Sequence, residues 1–281
     1  MTPQPNAEQE KQPPRVSVVV VSRNRVDELR RCLQSIEASK DRERYQLIVV
    51  DNGSSDGAAQ LDDEFPNVQW IRLPKNFGLT KAWNLGWRAA DAEYVMFLHD
   101  DTVVAPDAIA ILAGTLDTQT DAAAVAPLLV DEQGNPTPQL GKLPPTWEWT
   151  PAVPAAAPMP IEFPRGAALM ARVFFIKAIR QIDARYGQFG CDADLAAEIR
   201  RASRKILLAP AARVQHHGRD AYSSLERADF LLARAVFLGK YQGFGAGLQA
   251  RIGAVLGPLV GFRLGEVRYT IAGQKIDGTQ E

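Results

Sequence analysis

Apolar residues in the first hundred positions come in short, nearly unbroken runs at 16–21, 46–50, 68–73 and 94–98. Each run is rich in β-branched or aromatic residues, as expected of strands buried on both faces. Between the runs the period changes. Over 26–39, Leu29, Cys32, Leu33 and Ile36 recur at helical spacing, and over 79–90 Leu79, Ala82, Trp83 and Gly86 do the same. Alternating strands and helices with short connections predict an α/β fold, a mostly parallel sheet flanked by helices on both faces. Ligands of such sheets bind beyond the carboxyl ends of the strands.

A helix over 106–119 and a strand over 123–130 continue the alternation. It then breaks at the turn DEQGNPTP and a proline-rich stretch over 144–164. Beyond the break the pattern predicts a strand at 167–172, helices at 173–182 and 192–203, short strands at 205–209 and 213–215, and helices at 224–241 and 247–264. This divides the chain into a polar, proline-rich tail (1–14), a first half (15–130), a second half of the same domain (131–222) and a C-terminal helical region (223–281).

The polar residues at the predicted strand ends are the candidates for chemistry: Ser22, Asn24 and Arg25 after the first, Asp51 after the second, Asn76 and Gly78 after the third, and His99, Asp100 and Asp101 after the fourth. The run YVMFLHDD is the sharpest of them. Two adjacent carboxylates repel unless water, basic groups or a cation compensates, so this end proposes a divalent-metal or phosphate site. A solvated turn with an Asp cap gives the same pattern. VVDNGSSDG sets Asp51 at a strand end before a tight turn, where it could accept from a base or ribose, or the polar residues could simply cap a helix. NFGLTKAWNLGW sets Asn76, Gly78, Asn84 and Gly86 around a helix start, with Asn76 readable as a cap and Gly86 as a close helix-to-sheet contact. CDADLAAEIR places Asp192 and Asp194 in a first helical turn, where acids complement the dipole or project into a cleft. All three histidines, His99, His216 and His217, fall in candidate segments.

Composition narrows the field. A net charge of −1 with interspersed signs argues against nucleic acid as the main partner. SRNR after the first strand lacks the glycines of a dinucleotide fingerprint or a Walker loop. Two cysteines without metal-ligand spacing and an N-terminus without an apolar signal region lead us to expect a cytoplasmic protein. The uncharged apolar run at 252–262 is too short to span a bilayer, so membrane contact would be interfacial.

Taken in order, these motifs resemble those of the family 2 glycosyltransferases, inverting enzymes of the Rossmann-like GT-A fold, especially bacterial rhamnosyl- and galactofuranosyl-transferase-like members. VSVVVVSRNR is similar to the family's opening strand and loop, VVDNGSSDG to its nucleotide-recognition turn, FLHDDT to its metal motif, and GQFGCDADLAAEIR with LLAPAARVQHHG to its catalytic motif and a downstream histidine. The resemblance implies transfer of a sugar from a nucleoside-diphosphate sugar, UDP- or dTDP-linked, to a hydroxyl of a saccharide or lipid-linked saccharide in cell-envelope polysaccharide synthesis. It implies that Asp51 contacts the nucleobase, Asp100 lies near the ribose or diphosphate, Asp101 binds Mn2+ or Mg2+, Asp192 is the base, and His216 is a metal or diphosphate ligand. Trp147, Trp149, Arg165, Gly166 and Asp194 would border the acceptor. Peripheral membrane contact and a homo-oligomer are further expectations. The chain departs from the pattern at Cys191, where the family has Glu before the catalytic Asp, and at Thr80 and Lys81, where it has small residues. The competing readings are a non-catalytic nucleotide-sugar-binding protein and a sugar nucleotidyltransferase.

Overall fold

The computed structural model describes residues 13–146, 148–152, 155–218 and 221–279. Nearly all of the expected tail, and Trp147, lie outside the described residues. Strands β1 (Val16–Ser22), β2 (Tyr45–Asp51), β3 (Val68–Arg72) and β4 (Tyr94–His99) alternate with helices α1 (Val26–Glu37), α2 (Leu61–Glu64) and α3 (Gly78–Arg88). Next come β5 (Thr102–Val104), α4 (Ala108–Thr118) and β6 (Ala122–Val130). The proline-rich stretch and its approach form β7 (Pro138–Gly141), β8 (Thr150–Pro151), β9 (Met159–Ile161) and β10 (Phe163–Pro164). They are followed by β11 (Ala168–Arg172), α5 (Val173–Ala178), α6 (Cys191–Arg201) and β12 (Lys205–His216), and finally α7 (Ser224–Gln242), α8 (Phe244–Val260) and α9 (Leu264–Ala272).

The main sheet runs in the order β3, β2, β1, β4, β11, β6, β12, β5, with β9 also on β12. Strands β1 to β4 pair in parallel, β11 enters antiparallel between β4 and β6, and β5 closes the far edge antiparallel to β12. A small second sheet joins β10, β7 and β8. The fold is therefore the mostly parallel, helix-flanked α/β sheet that the alternation predicts.

Strand alternation splits the core into two layers. Val16, Val18 and Val20 of β1, with Met96 and Leu98 of β4, pack under α1 and α4. Val19, Val21, Val95 and Phe97 face α3 and α6 on the other side. Trp83 of α3 stacks on Phe97 with ring centroids 4.4 Å apart. Gly86 is the contact that permits this: a Cβ there would sit 2.2 Å from Val19 Cγ1, which supports the close helix-to-sheet packing reading.

Several boundaries differ from the sequence pattern. The two expected strands at 205–209 and 213–215 are one strand, β12, whose register against β6 shifts between Ala209 and Arg213. The bulge hides continuity because it interrupts the period-2 alternation. Helix α5 stops at Ala178, short of 182, and a separate α9 follows α8. The three-residue β5 carries too little pattern to be seen in the sequence.

Candidate active site

The ends of β1, β2 and β4 lie side by side, because Ser22 pairs with Asp51 and Val21 with His99 in register. Their polar residues converge for that reason. Ser22 Oγ donates to Asp100 Oδ2 at 2.8 Å, and Arg25 Nη1 reaches Asp101 Oδ2 at 3.0 Å and Asp100 Oδ1 at 3.4 Å. One guanidinium thus offsets the repulsion of the paired carboxylates. Strand β5 turns back along β12 so that His216 lies opposite Thr102. This sets His216 Nε2 3.5 Å and His99 Nδ1 3.9 Å from Asp101 Oδ1.

The donor atoms of His99, Asp101 and His216 all lie within 4.8 Å of one another, the single such group of three or more found among the described residues. Asp101 Oδ1 is buried and accepts no hydrogen bond. A buried carboxylate oxygen that accepts no hydrogen bond and faces two imidazoles has the surroundings of a cation ligand, so the residues present fit a divalent ion. Burial pushes the Asp101 carboxyl up, but His216, His99 and Arg25 outweigh it and hold it far below the usual carboxylate range. Asp101 is therefore anionic and ready to ligate.

Asp192 reaches the same cleft from the first turn of α6. The turn into α6 needs Gly190 at φ 94°, a left-handed conformation that glycine adopts without a Cβ penalty. Gly166 leaves room for the carboxylate, since a Cβ there would lie 2.9 Å from Asp192 Oδ2. Asp192 Oδ1 accepts from the Ala193 N–H at 2.8 Å. Burial pushes its carboxyl up, opposed by backbone N–H groups of Ala193, Asp192 itself and Gly166. Trp149, in tilted contact with Phe163 at 5.1 Å and with Arg165 5.9 Å over its ring, forms an aromatic wall beside it. The cleft, about 580 Å³, takes in Ser22, Arg25, Asn76, His99, Asp100, Asp101, Trp149, Arg165, Gly166, Asp192 and His216.

The pattern of the family described as glycosyl transferase family 2 matches residues 17–174, from β1 into α5. The chain belongs to glycosyl transferase family 2. This family 2 glycosyltransferase is 28% identical over 244 residues to an N-acetylglucosaminyl-diphospho-decaprenol L-rhamnosyltransferase of Mycobacterium tuberculosis, covering 74% of this chain and 79% of that one. It is 32% identical over 121 residues to an N-acetylglucosaminyltransferase of Mesorhizobium japonicum, covering 41% of this chain and 28% of that one. Among solved structures it resembles GalNAc-T7 with UDP, GalNAc and Mn2+ at a TM-score of 0.70 and 16% identity, over 94% of this chain. The chain spans 57% of the GalNAc-T7 chain. It also resembles Staphylococcus aureus TarS 1–349 in complex with UDP-GlcNAc, at a TM-score of 0.58 and 15% identity, over 84% of this chain and 69% of that one. These likenesses establish the GT-A fold.

Other candidates in this glycosyltransferase hold the cleft rather than line it. Asp51 is buried, and its Oδ1 accepts from the Ser54 N–H at 2.9 Å, pinning the turn after β2. Asn24, at φ 52°, accepts from the Ser55 N–H at 2.7 Å and so ties the β1 and β2 turns together. Gly78, at φ +77°, lies where a Cβ would meet Ile276 O at 2.1 Å. Asn84 does not face the cleft: its amide is taken up by Ile182 O, Ile182 N and Trp87 Nε1 at 2.8, 3.1 and 2.8 Å. Asp194 also lies elsewhere, bonded by Lys240 Nζ at 2.7 Å and Tyr241 Oη at 2.8 Å.

Some cleft residues lay outside the sequence-predicted set. His99 is not one of these: it is already a strand-end candidate, and the structure adds that it joins Asp101 and His216 in one cluster. Asn52 lines the cleft and braces it, donating to Asn76 Oδ1 at 2.9 Å and accepting from the Phe77 N–H at 2.8 Å. Tyr222 also lines the cleft, and the C-terminal region adds Phe230, Tyr269 and Ile276. Asp229 clasps it to the cleft by accepting from the Gln188, Phe189 and Ile276 N–H groups, and burial pushes its carboxyl up to about 6. The departures at Thr80 and Cys191 also meet: both are fully buried and Thr80 lies beside the Cys191 thiol, so the two changes share one environment.

Proposed function

We propose that this glycosyltransferase is metal-dependent and inverting, moving a sugar from a UDP- or dTDP-sugar to a hydroxyl of a lipid-linked saccharide. The observation that carries the reading is the meeting, in one cleft, of the Asp101, His99 and His216 donors with the separately built carboxylate of Asp192. The decaprenol-linked name of the mycobacterial relative supports the acceptor class, and the UDP and Mn2+ of the GalNAc-T7 structure support the donor and ion.

In this reading Asp101, His99 and His216 hold a divalent cation, manganese favoured over magnesium by the two imidazoles. When bound, such an ion neutralises charge developing on a departing nucleoside diphosphate. Arg25 adds a fixed positive charge at the same end, where it now bridges Asp100 and Asp101. Ser22, Asn76, Gly78 and the turns held by Asn24 and Asp51 shape the donor side. Asp192 takes the proton from the acceptor hydroxyl as that oxygen attacks the anomeric carbon from the face opposite the leaving group, which inverts the configuration. A carboxyl raised by burial is a better base for this than an ordinary one. Trp149 offers a flat apolar surface to a sugar ring. Residues 15–130 form the donor half and 131–222 most of the acceptor half, acting at the cytoplasmic side of a membrane.

A panel of nucleotide sugars, each with a lipid-linked saccharide acceptor, tests this by nucleoside diphosphate release with and without Mn2+ or Mg2+. We expect acceptor-dependent release with at least one donor, lost on chelation and restored by the ion, with an inverted anomer in the product. Release indifferent to chelator, or a product of retained configuration, refutes the corresponding part.

A further inference from the structure

Helix α8 is built inside out. Three small residues make its inner face: Gly247 packs so closely on α7 that a Cβ would fall 2.7 Å from Gly239 Cα, and Ala254 and Pro258 are buried. Its large apolar residues face away. Phe244, Leu248, Ile252 and Leu256 recur every four residues, and Leu259 and Val260 extend the stripe, with exposures from 46% for Leu259 to 83% for Phe244. The turn to α9 adds Phe262 at 90% and Leu264 at 67%. Together these side chains expose on the order of 1,000 Å², above the roughly 300–600 Å² of the largest patch on a typical monomer. A water-facing helix would carry its polar residues on this face.

The charge around the patch selects the occupant. From Gly243 to Ala272 the chain holds Arg251, Arg263 and Arg268 and a single acid, Glu266. Glu266 is fully buried and spent on Arg227 and Arg263, at 2.6 and 3.2 Å. An apolar helix face bordered by arginines, with no exposed carboxylate, matches an anionic bilayer surface, where side chains enter the acyl boundary and arginines meet the headgroups.

We propose that α8 and the turn at Phe262 dock this protein on an anionic lipid bilayer. The same helical unit lines the cleft through Phe230 of α7 and Tyr269 of α9, so docking fixes the height of the cleft above the membrane. This rests on the lipid-linked acceptor reading only for its purpose, not for its physics.

Co-sedimentation of the full chain with vesicles of phosphatidylcholine, alone or mixed with phosphatidylglycerol, tests it without donor, metal or acceptor. Binding is expected on the mixed vesicles, weakened by salt. It should fall about tenfold or more in the combined variant Leu248→Gln, Ile252→Gln, Leu256→Gln, and in a second variant, Phe262→Ser with Leu264→Ser, that leaves α8 intact. Wild-type binding that neither variant reduces overturns the proposal. So does a dimer, seen by light scattering, that the α8 variant converts to monomer while vesicle binding is absent. Diphosphate release with a detergent-soluble acceptor should survive in both variants, so loss of docking and loss of the transferase reading are separable results.

Discussion

Two regions of this glycosyltransferase each present a pair of aspartates, and they use them differently. Asp100 and Asp101 follow β4 in a tight turn, share one cleft and share one guanidinium, that of Arg25. Asp192 and Asp194 lie in the first turn of α6, where residues two apart point about 200° from each other. Asp192 accordingly enters the cleft, whereas Asp194 is buried against Lys240 and Tyr241 of α7. Adjacent acids at a strand end act in one environment, and a helix divides the same chemistry between a site and a structural clasp.

The largest effect expected is on the strand-end pair. Asp101→Asn should reduce metal-dependent transfer by about 10³- to 10⁴-fold, as loss of leaving-group neutralisation requires, and should weaken ion binding measured by titration calorimetry. Unchanged metal response would remove Asp101 from the ion. On the helix, Asp192→Asn should cost about 10³-fold in turnover while nucleotide binding, followed by calorimetry, stays intact. If Asp194→Asn alone had that phenotype, the division made by the helix would be wrong.

Asp194→Ala should instead destabilise the fold by ~3 kcal/mol, because it strands part of the Lys240 charge in a partly buried site. Thermal unfolding would show the loss, and Glu198, 3.1 Å from Lys240, cushions it. Gly166→Ala should lower turnover about tenfold by pressing on Asp192, with little change in melting temperature. The smallest effect is on pH. Burial raises the Asp192 carboxyl above its ordinary 3.8, and the base acts only when deprotonated. Transfer should therefore fall as pH drops through a value above 3.8, and a pH profile of kcat/KM whose acid limb persists in Asp192→Asn would detach that limb from Asp192.

The first half was legible because strands buried on both faces read as continuous apolar runs, and a parallel sheet brings their carboxyl ends to one edge. Asp101, Asp192 and His216 stood out for their residue types and positions. The geometry that unites them did not, because His216 is delivered by β5, three residues long, and by the bulged β12. Asn84 illustrates the opposite failure: a polar residue at helical spacing beside the site is spent on the chain at Ile182, a contact 98 residues away. The C-terminal share of the cleft depends on Asp229 and Ile276, and no local pattern announces such distant contacts.

The position of β11 sets an order on the birth of the molecule. Strand β4 is finished at His99, but its second neighbour, β11, begins roughly seventy residues later, and β6 reaches the sheet only through β11 and β12. A chain emerging from a ribosome would therefore carry an open edge on β4 for several seconds of synthesis. A fragment ending near residue 130 would keep that edge and should aggregate, although it holds every strand-end residue from Ser22 to Asp101.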